Sequence, residues 1–327
     1  MSDGWLDFSP NILIPVLPRR GLKKLYVREC YKQIFLDMQL SEEGEFELFA
    51  DRYLITGTPG IGKSLFLVFL LWHLVQRKKR VLYCWDSTNV YYDGQGNCWS
   101  LLQVPPYDFT DVGQPNRRFW REDLYCLYDL QNNKSPSALK DVSFQYCQFV
   151  LCSSPKRDSF GDYTKQVERD RRYYMPVWSE DEMRAIAPFY SESQDWEKLY
   201  MYLGGIPGTV FEMPLTVEGA AETLKSGSEK CSFSRVKAMT ADPNEVIALN
   251  ALDQVHRIIH IHSVAPYHQA FVKFATDAAA QHVCLAHTAS IANYWNEMEG
   301  VDLPEDLCGT LVGKYLEIRV VKLLEKG

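Results

Sequence analysis

RYLITGTPGIGKSLFLVFLL, residues 52–71, decides the fold. Its centre, Gly57 to Ser64, is a glycine, four free positions, then Gly-Lys-Ser, the pattern of a loop that wraps phosphate. Arg52 to Thr56 is apolar and β-prone, and Leu65 to Val75 is a run of strong helix formers. The predicted order is strand, loop, helix. Gly57, Gly60 and Gly62 permit the backbone turns that aim successive N–H groups at one point, where the helix also presents its positive end. Thr58, Pro59 and Ile61 complete the loop and Leu65 opens the helix. Lys63 is expected to reach the β and γ phosphates, and Ser64 to place its hydroxyl on Mg2+. Residues 57–65 are therefore the candidate nucleotide-binding set, for ATP or GTP with Mg2+.

Composition bounds the rest. With 327 residues, 46% of them hydrophobic, the chain is long for one domain and fits a core plus an appendage. A net charge of -7 argues against wholesale binding of nucleic acid by counterion release, although the basic runs Arg19 to Lys24 and Arg77 to Arg80 leave a local patch open. Nine scattered cysteines without a C-x-x-C pair speak against a disulfide framework and for an intracellular setting. No N-terminal stretch has the order of a secretion signal, and the apolar run Leu65 to Leu74 is too short to cross a bilayer, so no membrane association is expected.

Outside the loop, Leu25 to Met38 has apolar residues at helical spacing. Arg80 to Asp86 suits a buried parallel strand, and Asp93-Gly94 is a hairpin turn signal. Leu124 to Tyr128 ends in Asp129, and Tyr146 to Cys152 ends in Ser153-Ser154-Pro155. Asp129 is the favoured metal-side carboxylate and Asp86 the alternative. A hydrolytic enzyme of this type usually places a glutamate directly after that aspartate, whereas Leu130 stands here; Asp86, Glu122 or Asp123 are the substitutes to weigh as general base. Ser153 and Ser154 could bond the γ phosphate or the attacking water, against an ordinary turn. Arg169, Arg171 and Arg172 precede the predicted strand Tyr173 to Val177, where an arginine finger of a ring-forming ATPase would stand; solvated surface charge is the competing reading.

Taken in order, Leu25 to Lys32, the GTPGIGKS loop, the run ending in Asp129, Ser153-Ser154-Pro155, Tyr174-Met-Pro-Val-Trp-Ser-Glu-Asp-Glu-Met183 and Gly204-Gly-Ile-Pro207 resemble the NTPase module of Crinkler effectors, related to the retrotransposon hot spot proteins of trypanosomes. The resemblance implies an α/β P-loop NTPase of the additional-strand class, AAA/STAND-like, with a parallel sheet core and an α-helical lid, and secretion into a host cell with action in the host nucleus. The candidate catalytic set read from the loop and the strand ends is Lys63, Asp129, Asp86, Ser154, Arg171 and Arg172, with Ser64 and Asp129 on the metal. Partners left open are a second copy of the chain, DNA and a host nuclear protein. Two departures stand out: Gly208 follows the Gly-Gly-Ile-Pro segment where a basic residue is common, and the leading translocation domain of these effectors does not precede Met1.

The predicted organisation is a leading segment over 1–50, the NTPase core over 51–178, a helical lid over 179–255 and a helical C-terminal region over 256–327. Ser179 with Glu182 is a helix start, Gly204-Gly205 a helix stop, and Trp178 a core residue. Six histidines between His256 and His287 invite a zinc reading, but their spacing is not that of a finger, and a histidine-rich helical segment is the simpler account. Gly313 to Gly327 resembles the first helix of the family's nuclease, with Glu317 as its metal residue, yet no nuclease activity is assigned. ATP hydrolysis coupled to conformational change or assembly is the leading reading, a nucleotide-gated binding module its rival; a P-loop kinase lacks an acceptor motif.

Overall fold

Apolar runs of five to seven residues, rich in Leu, Val, Tyr and Cys, become the buried strands of one sheet. The computed structural model describes residues 4–8, 24–38, 52–85, 88–101, 119–130, 147–153, 167–168, 171–190, 195–213, 216–241, 255–298 and 304–325. The chain divides into two units, one of residues 1–57, 62–175 and 263–269, the other of residues 58–61, 176–262 and 270–327.

In the first unit β1 (Trp5–Asp7) pairs antiparallel with β2 (Lys24–Tyr26), and α1 (Glu29–Asp37) follows. The helix predicted from Leu25 thus starts four residues later, because Lys24–Tyr26 is drawn into a ladder, with Trp5 edge-on to Tyr26 at 5.2 Å. Then come β3 (Arg52–Thr56), α2 (Lys63–Gln76), β4 (Arg80–Trp85), β5 (Thr88–Tyr92), β6 (Cys98–Leu101), β7 (Leu124–Leu130), β8 (Gln148–Ser153) and β9 (Arg172–Tyr174). The sheet runs β6-β5-β4-β7-β8-β3-β9, with β4, β7, β8, β3 and β9 parallel and β5 and β6 an antiparallel edge. β8 therefore separates β3 from β7. Every residue of β7 is buried, as a parallel strand covered on both faces requires. α2 is apolar almost all round and packs on β4, β7 and β8, while Tyr31 and Phe35 of α1 meet Phe66 and Phe69 edge-on at 5.4 and 5.5 Å. The Asp93-Gly94 turn joins β5 to β6, its Asp93 carboxylate accepting from the Gln95 and Asn97 amides.

The second unit is mostly helical: α3 (Glu180–Ile186), α4 (Trp196–Leu203), α5 (Pro207–Val210), α6 (Val217–Lys230), α7 (Phe233–Ala241), α8 (Asp277–Ala286), α9 (Thr288–Glu297) and α10 (Leu307–Leu324). Ser179 and Glu182 form both bonds of the capping box, and α4 stops at Gly204, whose φ is 70°. α8 packs against α6 and α10. The histidine-rich stretch begins as a hairpin and not as a helix: β10 (Ile259–His262) pairs antiparallel with β11 (Phe271–Phe274). Ile259, His260 and Ile261 are buried, so β-branched residues on a strand covered from two sides override the helical reading. Among the described residues no helix is long and apolar enough to cross a membrane, and no three His, Cys, Asp or Glu side chains gather to hold a metal ion.

Candidate functional site

The loop after β3 is shaped by its glycines. Gly57, Gly60 and Gly62 have φ of 142°, 82° and 97°, and Gly62 is the residue from which α2 starts. A side chain at Gly60 would be strained, and its Cβ would stand 2.9 Å from Ile206 Cγ2. The 14-residue helix opens with Lys63, Ser64 and Leu65, putting its positive end at the loop.

Lys63 is 8% exposed and its ammonium donates to the Gly57 carbonyl at 2.9 Å. Burial lowers its pKa from 10.5 to about 8, against the raising influence of Cys152 and Asp129. Asp129 is buried near the end of β7, in register with Trp85 and Cys152. Its charge, after burial, also pushes up the Tyr83 hydroxyl and the Cys152 thiol. The Cys152 thiol donates to the Lys63 carbonyl at 3.5 Å. Lys63 and Asp129, 66 residues apart in sequence, thus act on each other inside the sheet's carboxyl end.

The other sequence candidates fall unevenly. Ser153 is buried at the end of β8 opposite Leu130; Asp86, Ser154 and Arg169 lie outside the described residues. Leu130 itself is buried. Glu122 and Asp123 precede the first residue of β7, so a strand rising about 3.3 Å per residue sets them roughly 20 Å from Asp129, which removes them as general base. Asp123 instead pairs with Arg80 at 2.7 Å and Arg121 at 3.1 Å. Arg172 opens β9 opposite Leu54, its guanidinium donating twice to the Val167 carbonyl at 3.0 and 2.7 Å; Arg171 precedes it, its amide on the Glu168 carbonyl. Glu317 accepts from Lys314, which also bridges to Asp277.

Two residues, Tyr31 and Trp178, had gone unassigned or been given only a packing role, and Thr58 of the loop makes a contact that its spacing did not announce. Tyr31 of α1 donates its hydroxyl to the Gly62 carbonyl at 2.7 Å. Trp178 is a core residue, 4% exposed, and its indole N–H also donates to the Ile61 carbonyl at 2.7 Å. The Thr58 hydroxyl accepts from the buried Ile261 amide of β10 at 2.9 Å. In the second unit, Gly205 passes so close to Trp178 that a Cβ would run into the Trp178 carbonyl, and a Cβ on Gly208 would stand 3.7 Å from the Gly60 Cα. Trp178 and the Gly-Gly-Ile-Pro segment are thus packed on each other, and both meet the loop tip. Chemically, a glycine loop, a helix start and a buried ammonium are groups that can receive an anion, with a carboxylate within electrostatic reach.

No protein-family model matches the chain. Crinkler effector protein 15 of Phytophthora infestans is 31% identical over 316 residues, covering 95% of this chain and 48% of that protein. Crinkler effector protein 16 of the same organism is 31% identical over 316 residues, 95% of this chain and 47% of its own length. The chain spans about half the length of these curated relatives. Across nearly all of its own residues it is a homologue of Crinkler effector proteins, which supports the Crinkler family its sequence motifs pointed to.

Proposed function

We propose that the chain is the nucleotide-binding module of a Crinkler-type effector and that it binds ATP and hydrolyses it with Mg2+. The observation that carries this is the loop of residues 57–62, whose three positive-φ glycines lead into α2 while Lys63 is held, buried, between the Gly57 carbonyl and the field of Asp129. The sheet order, with β8 between the loop strand β3 and the Asp129 strand β7, supports an additional-strand P-loop NTPase. The donor set suits the group: loop amides and Lys63 for the phosphates, the Ser64 hydroxyl and the Asp129 carboxylate for a hard cation that keeps most of its waters. Bound Mg2+ supplies charge neutralisation at phosphate oxygens. Lys63 would position the terminal phosphates, and Asp129 would hold the cation's side of the site.

The names of the relatives suggest an effector role; with it goes, as part of the same proposal, delivery into host cells and action in the host nucleus. Nucleotide state would then be coupled to conformational change, to assembly with a second copy, or to DNA or a nuclear protein. A nucleotide-gated binding module with little turnover is the second reading, favoured by Leu130 at the position of the usual glutamate and by Gly208 beside Gly60 where a cation would face the loop. The test is phosphate release from ATP by the wild type, Lys63→Ala and Asp129→Ala, with nucleotide binding measured in parallel. Turnover lost in both variants supports the ATPase; binding without turnover in the wild type supports the second reading; no binding overturns both.

A further inference from the structure

An anion-binding loop works only if its carbonyls point away from the anion, because a trans peptide directs C=O and N–H to opposite sides. Three glycines make that orientation available but do not enforce it, since glycine peptides turn over at small cost. Something must hold the carbonyls. At the two peptides where the loop joins the helix, the structure supplies a side-chain donor for each. Trp178 Nε1–H donates to the Ile61 carbonyl at 2.7 Å, so the N–H of the same peptide, that of Gly62, is turned from Trp178. The Tyr31 hydroxyl donates to the Gly62 carbonyl at 2.7 Å, alongside the first helical bond from the Phe66 amide at 3.1 Å, so the Lys63 N–H is turned from Tyr31.

Both donors are themselves fixed. Tyr31 is fully buried, edge-on to Phe66 with ring centres 5.4 Å apart. Trp178 is buried, with its backbone amide on the Gly205 carbonyl at 2.9 Å, at the place where only glycine lets residue 205 approach. The Gly-Gly of the second unit is thereby the reason the indole can stand where it does. An ordinary core tyrosine or tryptophan needs only a partner for its polar tip. Here two aromatic donors from segments 147 residues apart take two successive carbonyls of one loop.

Resting on the nucleotide reading above, we infer that Tyr31 and Trp178 are positioning residues that hold the Gly62 and Lys63 amides facing the phosphate. Neither touches the ligand. Each acts by keeping a peptide from turning over, and so by raising the fraction of loops ready to bind.

Tyr31→Phe and Trp178→Phe keep an aromatic ring and remove the donor. Each is measured for tripolyphosphate and ATP binding by calorimetry at a temperature where circular dichroism shows the variant folded, with the Gly62 and Lys63 amide resonances followed during the titration. The dissociation constant is expected to rise roughly two- to thirteen-fold in each variant, the range set by releasing one such bond in the free loop. The two amide resonances are expected to be displaced in the free variants and restored by saturating tripolyphosphate. A structural role alone would lower the melting temperature and leave the affinity of the folded protein and those resonances unchanged, which overturns the inference. The variants lie on separate elements, so misfolding of one leaves the other to decide. If the wild type binds tripolyphosphate, Lys63→Ala does not, and both Phe variants bind as the wild type does, the positioning roles fail and the nucleotide reading stands. If the wild type does not bind, both fail.

Discussion

Lys63 carries its charge in a place that disfavours charge, and that makes Lys63→Met an informative change. Its pKa falls from 10.5 to about 8 because burial outweighs the attraction of Cys152 and Asp129. A folded pKa below the unfolded one means that the unfolded chain binds more protons between pH 8 and 10.5, so stability rises with pH across that window. Below pH 8 the ammonium is charged in both states and its burial costs the fold on the order of 3 kcal/mol; by pH 10 the remaining cost is about 1 kcal/mol. Methionine of similar length has no charge to bury. Urea unfolding of wild type and Lys63→Met at pH 7, 8.5 and 10 should therefore show the wild type gaining about 2 kcal/mol on the variant from the lowest pH to the highest. The Gly57 carbonyl that loses its donor shifts the variant by a constant amount and drops out of the comparison. A stability difference that stays flat from pH 7 to 10 would refute a buried, charged Lys63. Added tripolyphosphate should stabilise the wild type alone, since a polyanion offsets the charge that burial penalises.

Gly205→Ala should destabilise by about 3 kcal/mol or more, because the added methyl meets the Trp178 backbone and not a yielding side chain; chemical denaturation measures it, and a neutral result would dismiss the close approach. Thr58→Val strands the buried Ile261 N–H and should cost about 1–3 kcal/mol, with Thr58→Ser restoring most of it; equal losses in both would point to packing instead. Burial lowers the His260 pKa to about 3, with smaller contributions from His262 and His256, so its folded value lies below the unfolded 6.5 and stability falls as pH drops through that interval. The loss from this one group should reach on the order of 3 kcal/mol by pH 4.5, and His260→Leu should flatten the acid limb of the urea midpoint; an unchanged slope would assign the acid loss elsewhere.

The sequence made one kind of information plain and hid another. β3, the loop and α2 were legible because glycine spacing and apolar runs are local, and β4, β7, β8, the Asp93-Gly94 turn and the Ser179 cap were read the same way. β9 is shorter than its apolar run suggested: it ends at Tyr174, and the Met175 amide makes a last bond to the Thr56 carbonyl. β10 and β11 were missed because four residues each are too few for a period to declare itself, and alternating isoleucine and histidine suits either element. The donors Tyr31 and Trp178, and the Thr58 acceptor, were beyond reach for another reason: hydrogen bonds spanning 31, 117 and 203 residues leave no trace in spacing. Asp129 was named from its strand, whereas its influence on Lys63 depends on sheet order.

The bond from Ile261 to Thr58 also bears on how the protein is made. Synthesis proceeds from the N-terminus at roughly 5–20 residues per second, so the loop is synthesised about ten to forty seconds before the residue that ties its threonine, 203 positions later, has been added. The sheet strands up to Tyr174 can assemble in that interval, but the segment whose Tyr267 carbonyl receives the Tyr174 amide has yet to arrive. A nascent chain arrested before Ile261 should therefore hold a half-built loop, and on the proposed nucleotide reading should fail to retain ATP until translation has passed that residue.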